Sequence, residues 1–291
     1  MAPAGQGTHT SLQDAVDAAV EGDIILIAPG LVLPSATLVR IEGKGLTLIG
    51  DGVQRSRVSA MDVRDLPAGS SVVLRHLDFE SNVLALLQGG TLTVRGGPGT
   101  VLVEDCLVDG GSSINGGAGL PAVGALFGAD VSIVRSEVRG GRGGDTFSPP
   151  TVPVAGAGGN GGYVQDARLS MHASLVLGGD GGNDGLFGNG GGDARPALWS
   201  IDSQVWLSGC DLRGGSGGQG DVLGASGAGL LQEGASSVVR HLDTTFVGGA
   251  GAPDLDVAAG AQVAWPGAAV ELVSRSPVTP GDAGSVLVRG P

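Results

Sequence analysis

The sequence predicts an all-β solenoid, with short parallel strands wound coil upon coil about one apolar interior. Three observations predict it. First, a strand–corner–strand text recurs: VVLRHLDFE at 72–80, VLVEDCLVDGG at 101–111, VSIVRSEVRGGRGG at 131–144, LSMHASLVLGGDGG at 169–182, VWLSGCDLRGGSGG at 205–218 and, distorted, VVRHLDTTFVGGAG at 238–251. Second, the copies start 29, 30, 38, 36 and 33 residues apart, so a constant scaffold carries inserts of variable length. Third, two columns are apolar when the copies are aligned on Leu77, Cys106, Ser136, Ser174 and Cys210. Leu74, Val103, Ile133, Met171 and Leu207 stand three residues before that centre; Phe79, Val108, Val138, Val176 and Leu212 stand two after it. Each copy is therefore two short strands meeting at a corner and facing one interior.

The elements follow in chain order. Thr10 or Ser11 caps a short helix over 12–20, with Leu12, Ala15, Val16 and Ala19 on one face as a lid over the open end of the solenoid. Asp23–Ala28 is the first strand and Pro29-Gly30 a turn; Leu46–Ile49 and Val58–Val63 belong to early coils. A further apolar strand precedes each copy, at Leu126-Phe127, Tyr163-Val164, Leu198-Trp199 and Leu230-Leu231, giving three strands per coil. A helical repeat is excluded, because no copy holds ten residues free of glycine at helical spacing. The glycine-rich inserts at 140–162, 178–193 and 214–227 fall on one side as a continuous flank, read as loose loops between ordered ladders. Residues 1–22 form an N-terminal segment with the helix, 23–270 the solenoid, and 271–291 a terminal strand or tail; the pattern still running at Pro291 suggests a domain of a longer chain.

These strands, with the opening TSLQDAVDAAVEGDIILIAPGLV at 10–32, resemble the right-handed, single-stranded parallel β-helix of the pectin-lyase-like superfamily. The resemblance covers nearly the whole chain. It implies the fold and a secreted or cell-surface location, and it leaves activity open, because the superfamily holds lyases, hydrolases, epimerases, adhesins and phage proteins. The asparagine ladder common in that family is replaced here by Cys and Ser. Neither the calcium-and-arginine set of its lyases nor the paired aspartates of its hydrolases has an equivalent, so no catalytic residue carries over.

Composition narrows the partners. The net charge of −13 and the single lysine, Lys44, argue against nucleic acid. No apolar run is long enough to span a membrane. Cys106 and Cys210 occupy equivalent positions three coils apart, about 14 Å at one strand spacing per coil, too far for a disulfide, so two buried free thiols are expected. Among three Trp, one Tyr and five Phe, sugar-stacking platforms are sparse. Trp199, Trp206 and Trp265 are candidates, although Trp199 aligns with an inward strand.

Two sets of residues invite a chemical reading. GGRGGDTFS at 140–148 matches the calcium-binding nonapeptide GGxGxDxUx, with Phe147 in the apolar slot, but Asn183 and Gln219 replace the aspartate in the following copies. Asp145, Asp180, Asp184, Asp193 and Asp221 are the candidate calcium ligands, against the plainer reading of Asp and Gly as turn residues. The second set is the outward ladder of His76, Asp105 and Arg135, with Glu80 and Asp109 forming a carboxylate pair of the kind used in acid–base work. The plainer reading there is a solvated face of compensating charges. No histidine pair has metal-ligand spacing, since His76 and His241 lie five repeats apart. The expected function is a non-catalytic extracellular structural or binding module, its partner a polysaccharide or other cell-surface component. The alternative is a polysaccharide lyase or glycoside hydrolase acting on an acidic polysaccharide.

Overall fold

The computed structural model describes residues 9–30, 32, 37–80, 89–146, 155–185 and 190–264, and the backbone of 271–274 and 286–289. Three parallel sheets carry the fold: a nine-stranded sheet A, a seven-stranded sheet B and an eight-stranded sheet C. Each coil visits C, then A, then B, and pairs in each sheet with the coil before and after it. Val101–Val131–Leu169–Val205, for example, is one continuous row of sheet A. The chain is thus a parallel β-helix. An antiparallel pair, Glu271–Ser274 with Val286–Arg289, follows the solenoid.

The alternation read from the sequence fixes which residues face inward. Thr100–Glu104 and Asp130–Val134 bury Val101, Val103, Val131 and Ile133 and turn the residues between them outward. The inward rows merge into one apolar column running from Leu12 and Val16 of the helix to Val239. The helix is Leu12–Ala18, with Ser11 as its N-cap: the Asp14 N–H donates to Ser11 Oγ at 3.3 Å. Its last turn holds no basic residue. Instead Lys44, the one lysine of the chain, reaches across from the coil below. Its Nζ donates to the carbonyls of Val16 (2.6 Å) and Ala19 (2.7 Å), placing positive charge where the helix dipole is negative.

Two left-handed corners turn each coil. Between sheets A and B the residues with φ near +50° are His76, Asp105, Arg135, Ala173 and Asp243, with Gly209 at the same place in its coil; between C and A they are Asp65, Phe127, Asp166 and Asp202, with Gly43, Gly96 and Gly234. Except at His76, which Leu77 follows, the residue after the A–B corner satisfies polar backbone there. Ser136 Oγ donates to Val134 O (2.8 Å) and accepts from the Cys106 N–H (3.1 Å), and Ser174 repeats the pattern one coil on. Cys106 and Cys210 fill the same slot as buried free thiols, as the spacing requires. Burial pushes the Cys106 thiol up to about 12.

Register corrects two sequence readings and separates two like segments. Val239, not Val238, pairs with Val205, so the last repeat begins one residue later. The sheet C strand is Val123–Leu126, with Val123 opposite Gly162 and Leu198, so Phe127 is a corner residue and not part of a strand. The two RHLD segments are not equivalent: His76 is a corner residue, whereas His241 sits in the sheet A row of Leu207 and rests edge-on against Phe246.

The glycine flank is not a set of loose loops. From Gly140 onward the segment has a three-residue period. The Gly140, Gly143 and Thr146 N–H groups donate to the carbonyls of Leu177, Asp180 and Asn183 in the next coil. Gly141 and Gly144 donate to Leu120 and Gly117 on the returning segment of the preceding coil, and Gly156 and Gly159 come back to donate to Gly144 and Gly141. A threefold extended strand makes no internal hydrogen bonds, so all its backbone groups are free to pair with neighbours in several directions. The result is a two-layer lattice of backbone standing off the solenoid between sheets B and C. A Cβ on Gly143 would lie 1.9 Å from Gly156 O, and one on Gly140 would lie 2.0 Å from Gly159 O. Only glycine lets the strands approach this closely.

Candidate functional site

In several lattice triplets the third N–H is closed by a side chain of the coil before. Arg142 N donates to Ser112 Oγ, Asn183 N to Asp145 Oδ1 (2.7 Å), Ser216 N to Asp180 Oδ1 (2.7 Å), and Ala225 N to Asp193 Oδ1 (2.8 Å). Asp184 accepts from Thr146 Oγ1 at 3.0 Å. Four of the five aspartates read as calcium ligands therefore bond within the lattice, spread over both of its layers; Asp221 lies near the tip of the last one. Among the described residues no three His, Cys, Asp or Glu converge to hold a metal ion. Burial pushes the Asp145 carboxyl up, but Arg142 and the Asn183 N–H outweigh it and hold the group below the ordinary carboxylate range. Phe147 lies outside the described residues.

The other predicted set divides into two rows. His76, Asp105 and Arg135 stack at the A–B corner, where Arg135 donates to both Asp105 oxygens at 2.9 Å and also pairs with Glu104. The Arg135 hydrogen bond holds Asp105 below its ordinary range. Glu80 and Asp109 are in register on sheet B, followed by Arg139. Burial pushes the Asp109 carboxyl up; Arg139 pulls it back, and Glu80 and Glu137 push it up further. Glu80 is itself paired with Arg57 at 3.3 Å.

A different constellation lies on the outer face of sheet C and around the corner into sheet A. Tyr163 and Trp199 are register neighbours, their rings edge to face with centroids 5.3 Å apart. Tyr163 Oη donates to Gln165 Oε1 at 2.8 Å, and Trp199 Nε1 donates to Glu233 Oε2 at 3.0 Å, so each ring is fixed by a polar neighbour on the same face. Burial raises the Tyr163 hydroxyl, and the nearby Asp166 and Glu233 charges raise it further. Trp199 therefore faces outward and is half-buried, contrary to the inward position its sequence alignment suggests. Following coil direction, Asp166 and Asp202 occupy successive left-handed corners, and Arg168 and Gln204 begin the sheet A strands beyond them. Trp206, 49% exposed, lies further along the same strand with the Arg240 guanidinium 4.9 Å from its ring.

A groove of about 490 Å³ runs along this C–A corner. It touches Pro98, Asp130, Asp166, Asp202, Gln204 and Ser236, which belong to five successive coils. At one strand spacing per coil it is about 19 Å long, parallel to the solenoid axis. Asp202 Oδ1 accepts from the Ser236 hydroxyl at 2.6 Å and so keeps one wall in place. At the edge of the groove, next to Gly128, stands Phe127. It is 58% exposed at φ +54°, a conformation that bulky side chains avoid. An exposed aromatic held at a strained corner beside a groove points to use of that side chain. Sequence reading missed this site because its residues come from different columns of the repeat; the run of Phe127, Asp166 and Asp202 at one corner was the available signal. Trp265 lies outside the described residues. Among those residues no helix is long and apolar enough to cross a membrane.

No family model and no curated protein matches the sequence. Among solved structures the chain is similar to pectate lyase Pel9A, with a TM-score of 0.34 and 12% identity over 88% of this chain and 68% of that one. It is also similar to the Siphovirus 9NA tailspike receptor binding domain (TM-score 0.22, 12% identity, 94% and 77% covered) and to the A-module of the Azotobacter vinelandii mannuronan C-5 epimerase AlgE6 (0.21, 14%, 87% and 93%). The chain is a parallel β-helix, as its own three parallel sheets show.

Proposed function

We propose that the protein is a non-catalytic polysaccharide-binding module, working outside the cell or at its surface, with the C–A corner as its binding site. One observation carries the reading: Tyr163 and Trp199 stack edge to face on the outer face of sheet C, and the strands that carry them run into an elongated groove at the C–A corner, where Phe127 is exposed. Aromatic rings offer a negative π-face to the C–H face of a sugar, and carboxylate and amide groups beside them take its hydroxyls. The length and openness of the groove suit a chain more than a compact ligand. The test is affinity electrophoresis against a set of soluble polysaccharides, wild type beside Trp199→Ala. Retardation of the wild type that Trp199→Ala loses supports the reading; equal retardation of both refutes this location.

The alternative reading, a glycan-cleaving enzyme, has one observation in its favour. Asp109, its carboxyl pushed up, stands in register with Glu80. It predicts release of reducing ends from a bound polysaccharide, abolished by Asp109→Asn. No release from a polysaccharide that binds excludes it.

A further inference from the structure

We infer that the glycan recognised at the C–A corner is an uncharged chain lying along the solenoid axis, and not a polyuronate or sulfated polymer. The inference rests on the binding reading above and deepens it. Its ground is the charge of the site. Asp130, Asp166 and Asp202 line the groove, and Glu233 fixes the neighbouring Trp199; Arg168 is the one cation among the groove-lining residues. Among the described residues none of these four carboxylates is held in an ion pair, in contrast to Asp62, Glu104, Asp105, Glu137, Asp145 and Asp211, each of which has an arginine. The groove thus sets three carboxylates against one guanidinium, with Asp202 held by the Ser236 hydroxyl and Glu233 by the Trp199 N–H.

This excess of carboxylates has two consequences. They accept hydroxyl hydrogen bonds that are stronger than neutral ones, and a neutral sugar ring presents hydroxyls in pairs. They also repel a chain that carries a carboxylate or sulfate on each unit, the repulsive half of a specificity device. Orientation follows from the rings. Tyr163 and Trp199 share one row of sheet C and step along the axis by about 5 Å, Phe127 stands at the corner end of the coil before them, and the groove runs the same way. A chain crossing the axis on sheet C would meet one of the two rings. A chain along the axis meets Tyr163 and Trp199 in turn.

The experiment is titration calorimetry with soluble dextran, galactomannan and laminarin as neutral probes and polygalacturonate and alginate as polyanions, at low and high salt. A neutral probe should bind with an affinity that salt hardly changes. Trp199→Ala should weaken it about tenfold or more, the range of one anchoring contact. Loss of fold is separated from loss of binding by Phe127→Gly, which removes an exposed ring from a left-handed corner. That variant should melt no lower than the wild type and still bind several-fold more weakly. Preferential binding of a polyanion, weakening as salt rises but still dependent on Trp199, would overturn the uncharged-ligand inference and leave the binding reading standing. Neutral binding indifferent to Phe127→Gly and Trp199→Ala would overturn the placement along the axis. Absence of binding to every probe would overturn both readings.

Discussion

Replacing Gly143 by alanine tests the lattice directly. The new methyl would sit 1.9 Å from Gly156 O, 2.5 Å from its carbonyl carbon and 2.8 Å from the carbonyl carbon of Ala157. A carbon–oxygen contact needs more than 3 Å, so the returning segment must move outward by over an ångström. That shift breaks the Gly156→Gly144 and Gly159→Gly141 hydrogen bonds, now 2.9 and 2.7 Å. Two backbone hydrogen bonds are worth about 0.5–1.5 kcal/mol each, and overpacking adds about 1–3. Alanine recovers about 0.4–1 kcal/mol by restricting the unfolded chain. The net loss is about 1–6 kcal/mol. Part of it is local, because the lobe can open while the solenoid stays folded. Amide hydrogen exchange by NMR reads the local part at Gly156 and Gly159, and urea unfolding reads the global part. Gly190→Ala is the control: its Cβ meets nothing nearer than 3.7 Å, so it should change stability by less than about 0.5 kcal/mol. A Gly143→Ala protein with wild-type protection at those amides would refute the lattice.

Other outcomes follow from single contacts. Lys44→Met should destabilise by about 2 kcal/mol, because it leaves the Val16 and Ala19 carbonyls at the helix end without their charged donor; urea unfolding checks it, and an unchanged midpoint sinks the capping role. Ala173→Gly should stabilise by about 0.5–1 kcal/mol, the left-handed strain of about 1–2 less the extra chain entropy of glycine; a lower midpoint would argue against the corner geometry. Asp109 has a folded-state pKa above its unfolded value, so its contribution favours folding most at acid pH and is lost as pH rises through the folded value. Asp109→Asn should therefore match the wild type in acid and exceed it at neutral pH in paired unfolding curves; the opposite ordering refutes the burial argument. Millimolar calcium should leave the melting temperature unchanged, since Asp145, Asp180 and Asp193 bond within the lattice and no three acids converge among the described residues; a rise of several degrees would support the calcium reading.

Legibility in the sequence followed the range of the forces involved. The inward rows were readable because alternation has a period of two and every coil repeats it, so Val103, Ile133 and Met171 announce themselves. The cysteines were readable because equivalent positions in a stacked fold are multiples of one strand spacing apart. The helix was readable from Ser11 and its apolar face; its C-terminal cap was not, because Lys44 comes from a different coil. The lattice was half-legible. GGRGG, GGDGG and GGSGG display the three-residue period, but glycine is also the ordinary mark of a turn, and the difference lies in whether a neighbouring strand stands where the Cβ would be. The aspartates carry the same ambiguity. Asp145 and Asp180 were read as ligands for an ion, and each accepts a backbone N–H from a coil more than thirty residues away.

The sequence alone thus determined the architecture: an all-β stack of three-stranded coils, its interior, its capped beginning and its glycine flank on one side. These rest on local patterns that repeat, and repetition lets weak preferences add. Only the tertiary structure decided the site. Phe127, Tyr163 and Trp199 hold different places in their coils and share no motif. Asp166 and Asp202, without an arginine partner among the described residues, differ from the ion-paired Asp62 and Asp145 only in what surrounds them. Such proximity and charge balance arise from contacts between residues distant in sequence, to which no local pattern is bound.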